Sequence, residues 1–136
     1  MYEFFEHTAD LGLRIRAETP EAIFVDAARA LTNAILENPD SIQPVERAEL
    51  SIVGEDRSLV LFDWLNELLY RFEVDHRVYG KFDIRLDSRG IQASIWGELI
   101  DRERHKLAHE VKAITYHGLK LVREKGGWLA EVIVDI

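Results

Sequence analysis

VKAITYHGLKLV (Val111–Val122), the turn REKGG (Arg123–Gly127) and WLAEVIVDI (Trp128–Ile136) form the stretch on which the fold turns. The lysines and leucines of Val111–Val122 would suit a helix. Three features favour a strand: the β-branched and aromatic run Ile114-Thr115-Tyr116, the alternation of His117, Leu119 and Leu121, and the Lys125-Gly126-Gly127 turn leading into a second branched run. The last part of the chain is therefore expected to be an antiparallel hairpin.

Working outward, Lys81–Asp87 and Gly90–Ile100 read as another hairpin through Asp87-Ser88-Arg89-Gly90, with Phe82, Ile84 and Leu86 facing Ile91, Ala93 and Ile95. Arg47–Val53 reads as a short strand. At the start, Tyr2–His7 is a short aromatic-rich strand, and Leu11, Leu13, Ile15 and Ala17 alternate with Gly12, Arg14 and Arg16 in the period of a half-buried second one. Two helices interrupt the strands. Thr19-Pro20-Glu21 supplies an N-cap hydroxyl, a first-turn proline and an acid at the positive helix end, after which Phe24, Ala27, Ala28, Leu31 and Ile35 recur at helical spacing to about Glu37. The second helix, capped by Asp56 or Ser58, carries the wide stripe Leu61, Trp64, Leu65, Leu68, Leu69 and Phe72. The expected class is α+β: an antiparallel or mixed sheet with two main helices packed on one face, residues 1–136 forming one domain.

Composition narrows the function. At 47% hydrophobic and 31% charged residues, the 136-residue chain has the balance of a packed domain. Absence of cysteine excludes disulfides, thiolate metal sites and cysteine nucleophiles. No apolar run approaches the roughly 20 residues that span a bilayer, and MYEFFEHTAD is not a secretory leader, so a cytoplasmic location with no membrane partner is expected. The formal charge of −8 disfavours direct binding of nucleic acid. Arg102, Arg104 and Lys106 are offset by Asp101, Glu103 and Glu110, which reads as a solvated mixed-charge face.

Phosphate-binding glycine loops, serine-nucleophile elbows and His-Glu-x-x-His motifs are absent. His105 and His109 have a spacing that zinc sites use on helices, but no third ligand stands nearby and ordinary surface residues are the simpler reading. His7 and His117 read as residues that orient their neighbours. Asp10, Asp135 and the α-carboxylate of Ile136 would converge if the first and last strands met, and such a hard oxygen set suits Ca²⁺ or Mg²⁺. The alternative is an Asx-turn at Asp10 and a solvated chain end at Asp135.

Five segments together, His7-Thr8-Ala9-Asp10, LFDWLNELLY (Leu61–Tyr70), Gly97-Glu98, VKAITYH (Val111–His117) and Gly127-Trp128 leading to Asp135-Ile136, resemble the archease family over nearly the whole chain. The resemblance implies a non-enzymatic accessory protein of tRNA processing. Its partners would be the tRNA-splicing RNA ligase that joins a 3′-phosphate or cyclic phosphate to a 5′-hydroxyl, whose guanylylation and turnover it promotes, and a tRNA cytosine methyltransferase. It also implies a divalent cation, calcium before magnesium or manganese, held by Asp10, Asp135 and main-chain oxygen of Ile136. Lys112 and His7 are the corresponding candidate partner contacts, although a lysine on a strand edge also serves solubility. Two other classes compete: a metal-dependent hydrolase with Asp10 and Asp135 holding Mg²⁺ and His7 or His117 as base, and an oligomeric scaffold in which the acids are incidental.

Overall fold

The computed structural model describes residues 1–136. In chain order it contains β1 (Tyr2–His7), β2 (Asp10–Ala17), α1 (Pro20–Ile35), a short 3₁₀ turn at Pro39–Ser41, β3 (Glu46–Val53), α2 (Arg57–Glu73), β4 (Arg77–Asp87), β5 (Gly90–Leu99), β6 (Ala113–Glu124) and β7 (Gly127–Asp135). The ambiguous stretch is the hairpin β6–β7, so the α+β reading holds. Every strand pair is antiparallel. The strands divide between two sheets, however, ordered β1-β2-β7-β6 and β3-β5-β4. The helices explain the division: α1 packs against β2 and β4, and α2 against β6, β4 and β3, so each helix covers parts of both sheets. One core of 29 buried residues draws on both sheets and both helices.

Local chemistry sets the boundaries. The Thr19 hydroxyl accepts the Ala22 N–H at 3.2 Å, and the Asp56 carboxylate accepts the Ser58 N–H at 2.9 Å, so Asp56 rather than Ser58 caps α2. Helix α1 stops at Ile35, slightly earlier than its sequence period suggests. Its last carbonyls are taken from outside: Ala108 N–H donates to the Ile35 oxygen at 2.8 Å and His109 N–H to the Ala34 oxygen at 3.0 Å, while Leu36 turns extended to bridge Leu107. Trp64, fully buried in α2, donates its indole N–H to the Phe24 oxygen of α1 at 3.0 Å and so pins the two helices together.

The hairpin β4–β5 has the register expected from alternation, Phe82 opposite Ile95, Ile84 opposite Ala93 and Leu86 opposite Ile91. It is bulged between Tyr79 and Lys81, and there β5 needs a glycine. A Cβ on Gly97 would overlap the Val78 carbonyl oxygen and lie 2.7 Å from the Tyr79 Cα. Both obstacles are backbone. Gly97→Ala is therefore expected to cost about 3 kcal/mol, read as a drop in melting temperature of roughly 10 °C by calorimetry. An unchanged transition would mean that the bulge yields without cost.

No helix is long and apolar enough to cross a membrane.

Candidate functional site

The second and last strands meet. Strand β2 pairs with β7 from Ala17 opposite Trp128 to Leu11 opposite Val134, so the next residues along the two strands are Asp10 and Asp135. His7 is opposite Asp10 across β1–β2, and Ala113 is opposite Asp135 across β6–β7. One row at the end of the four-stranded sheet thus reads His7, Asp10, Asp135, Ala113. Alternation puts Asp10 and Asp135 on the same face, since Leu11 and Val134 both turn to the other, toward the core. Opposed residues of neighbouring strands have Cβ atoms about 4.5–5.5 Å apart, a placement that is unfavourable for two like charges left alone.

No arginine or lysine offsets them: the one ion-pair partner of Asp10 is His7, with Nδ1 3.8 Å from Oδ2, and Asp135 has none. That His7 nitrogen is buried and makes no hydrogen bond. The two-residue turn Thr8-Ala9 holds His7 and Asp10 opposite each other with Thr8 at a φ of 54°, a left-handed conformation rare for a β-branched residue. From the other side, β6 loses register between Thr115 and Lys120, with Gly118 at a φ of 69°. The bulge carries His117 to within 5.1 Å of His7, ring centre to ring centre. The neighbouring Tyr116 ring stacks on Phe62 of α2 at 3.9 Å, which anchors the bulge.

A hard divalent cation fits this donor set. Two adjacent carboxylates lack a counter-charge, and Ile136 brings main-chain oxygen to the same sheet end. No three His, Asp or Glu side chains lie close enough to grip an ion among themselves, so an ion held here would need main-chain oxygens as well, the role expected of Ile136. The Asp135 carbonyl is already in use: it accepts the Lys112 N–H at 2.7 Å, which fixes the strand end while leaving the exposed Lys112 side chain free.

The family model of the Archease protein family matches residues 2–136. The chain belongs to the archease family. An archease from Methanosarcina mazei is 41% identical, covering 99% of this chain and 95% of its own, and one from Methanopyrus kandleri is 38% identical over 99% of each. A solution structure of a Methanobacterium thermoautotrophicum protein superposes with a TM-score of 0.85 at 32% identity, covering 99% of this chain and 98% of that one. The crystal structure of a Thermotoga maritima archease, 21% identical with a TM-score of 0.67 over 100% of this chain and 98% of that one, shares the fold.

Away from the sheet end, the loop between β5 and β6 departs from its expected role. His105 is not a surface residue, and the His105–His109 pair lies on no helix: the loop has to run extended so that Ala108 and His109 can reach the α1 carbonyls. His105 is 1% exposed. Its Nδ1 accepts the Asp101 N–H at 2.9 Å, which leaves the proton of the neutral ring on Nε2, 3.1 Å from the Glu98 carboxylate. Arg104 likewise leaves the mixed-charge face and grips Glu98 through both terminal nitrogens, at 2.5 and 2.9 Å. The Gln43 N–H completes the set at 2.7 Å. The Arg104 guanidinium holds the Glu98 carboxyl down to about 2, against the upward push of burial, with Gln43 and His105 adding to the pull. Sequence reasoning passed over this cluster, whose one visible trace was Glu98 beside Gly97. On the outer sheet face, burial pushes the Glu131 carboxyl up, but Arg14 and Lys120 prevail and hold it below its ordinary value. Arg14 also lies over the Phe5 ring, which itself covers Gly12.

Proposed function

We propose that this protein is an accessory factor of tRNA processing. It stimulates the ligase that joins a 3′-phosphate or cyclic phosphate RNA end to a 5′-hydroxyl, promoting guanylylation and multiple turnover, and it works through the acidic sheet end rather than by catalysis of its own. The observation that carries the reading is the side-by-side placement of Asp10 and Asp135 with no basic residue to neutralise them, next to the unpartnered His7 nitrogen. Asp10, Asp135 and Ile136 would hold the cation, calcium in the first instance and magnesium or manganese by the same oxygen chemistry. When bound, that ion offsets the repulsion of the two carboxylates and stiffens the end of the sheet.

An acidic protein carrying such a tip suits the basic groove of an RNA enzyme better than RNA itself. Lys112 and His7 flank the tip and are the side chains we assign to contact with the partner. Docking changes the ligase only if the tip binds its guanylylation-competent state more tightly than the other. A tRNA cytosine methyltransferase, equally a basic RNA enzyme, presents a surface of the same kind. The deciding experiment is multiple-turnover ligation with and without this protein. Stimulation at substoichiometric protein is the expected result. Turnover of phosphate esters by the isolated protein would favour the hydrolase reading, and no effect on ligation would remove the proposal.

A further inference from the structure

We propose that a groove between β3 and the start of β6 is a docking site for an extended, basic segment of a partner protein, which joins the three-stranded sheet at the β3 edge. The groove is an open depression of about 630 Å³, and one face of α2 forms its floor. It adjoins the acidic tip at Lys112 and at Ala113, the residue opposite Asp135, while its α2 floor and β3 wall lie outside the candidate cation site.

The edge comes first. Strand β3 pairs with β5 alone, and no backbone hydrogen bond outside the sheets involves residues 46–53, so its outer N–H and C=O groups are unpaired. Natural edges are normally blunted by charge, proline or a bulge. The first half of β3 follows that rule with Glu46, Arg47 and Glu49, whereas Leu50-Ser51-Ile52-Val53 carries no charge and leaves Val53 83% exposed. The facing edge, β6, is broken by its bulge and could not template a regular strand. What lies along the groove is therefore a short, regular, unprotected edge, the geometry used in peptide recognition by strand addition.

Charge then selects the occupant. Asp63, Glu67, Tyr70 and Glu73 recur at helical spacing along the floor, and Asp63 and Glu73 are ten residues apart, about 15 Å along the axis. Glu67 is answered by Arg71 at 3.1 Å, but Asp63 and Glu73 have no cationic partner. Residues i and i+4 of an added strand point the same way and lie about 13 Å apart. An extended segment with Arg or Lys at those two positions, and a branched apolar residue midway over Tyr70, satisfies both acids and the unpaired edge together. RNA is disfavoured by the same acids.

The test uses the full-length ¹⁵N-labelled protein titrated with the peptide acetyl-TRTVTRT-amide, and with acetyl-TETVTET-amide as its charge-reversed control. The expected result is amide shift changes at Ser51–Val53 and along Asp63–Glu73, slowed hydrogen exchange at the β3 edge and no response to the acidic peptide. Both acids are exposed on a helix surface, so the double variant Asp63→Lys/Glu73→Lys should keep the circular dichroism of the parent. It should bind the basic peptide at least tenfold more weakly and gain affinity for the acidic one. Shift changes confined to Asp10 and Asp135, equal response to both peptides, or concentration-dependent dimerisation through β3 in place of peptide binding would each overturn the proposal.

Discussion

Asp10→Ala and Asp135→Ala are each expected to remove most of the proposed stimulation of RNA ligation while leaving the circular dichroism spectrum unchanged. The two residues begin β2 and end β7, outside the buried core, and the fold uses the backbone of Asp135 but neither carboxylate in a hydrogen bond. Each supplies a charged oxygen that nothing else nearby replaces, since no third carboxylate, histidine or cysteine completes a cluster. Loss of one ligand from so small a set should weaken calcium binding by more than the roughly 10–100-fold that removing an outer-shell partner costs.

Stability separates this mechanism from a merely structural role. In chelator the variants should be as stable as the parent or slightly more so, because the cross-strand repulsion of like charges, worth about 0.2–1 kcal/mol, is gone. With calcium at a hundred times its dissociation constant the parent should gain about 2.7 kcal/mol and the variants nothing. Melting curves with and without calcium, run beside multiple-turnover ligation, read both effects. Folded variants that stimulate as strongly as the parent would take the acidic tip out of the mechanism, and a parent whose melting temperature ignores calcium would take the ion out of the tip.

How much of this was visible beforehand depended on how far the signal had to travel along the chain. The Phe82–Ile95 register followed from alternation on both sides of a four-residue turn, and the start of α1 from three adjacent residues; both are local. The meeting of Asp10 with Asp135 is different. It requires β2 to choose β7 from among six other strands, a choice made by the burial of Leu13, Ile15, Val132 and Val134 together, and nothing near either aspartate announces it. The acids at two strand ends raised it as one of two alternatives, and the family resemblance chose between them. The Glu98 cluster was invisible for another reason. Arg102, Arg104 and Lys106 alternate with acids as a solvated surface would, and His105 interrupts them without a period. What draws His105 and Arg104 inward is the need of the α1 terminus for donors, which pulls the loop across the helix end. Asn38 clamps it there, accepting the Lys106 N–H and donating to the Arg104 carbonyl, both at 2.9 Å. The division into two sheets escaped notice similarly, because a wide apolar stripe on α2 shows that much is buried and not by how many layers.

That cluster carries the second large effect. Glu98→Gln is expected to destabilise the protein by roughly 2–3 kcal/mol, because the amide keeps one acceptor oxygen where the carboxylate used two, leaving donors among Arg104, His105 and Gln43 unanswered. The sign of the pH dependence follows from the direction of the shift. Glu98 has a folded pKa of about 2, below its unfolded value near 4.5, so the folded state binds the proton less readily than the unfolded one. Its contribution is fully present above pH 4.5 and is lost as the pH falls through that window toward 2. The parent should therefore lose stability steeply between those limits, and Glu98→Gln, which has no proton to take up there, should show a shallower acid limb. Arg104→Met tests the cause separately: it removes the largest downward pull, so the Glu98 carboxyl takes up its proton at higher pH, nearer its unfolded value, and the acid limb should flatten in this variant also. Urea midpoints at pH 7, 5, 4 and 3 on the three proteins measure all of this. Parallel acid limbs for parent and Glu98→Gln would show that the buried carboxylate is not what fails in acid, and the loss would then belong to Glu131 and the surface pairs around it.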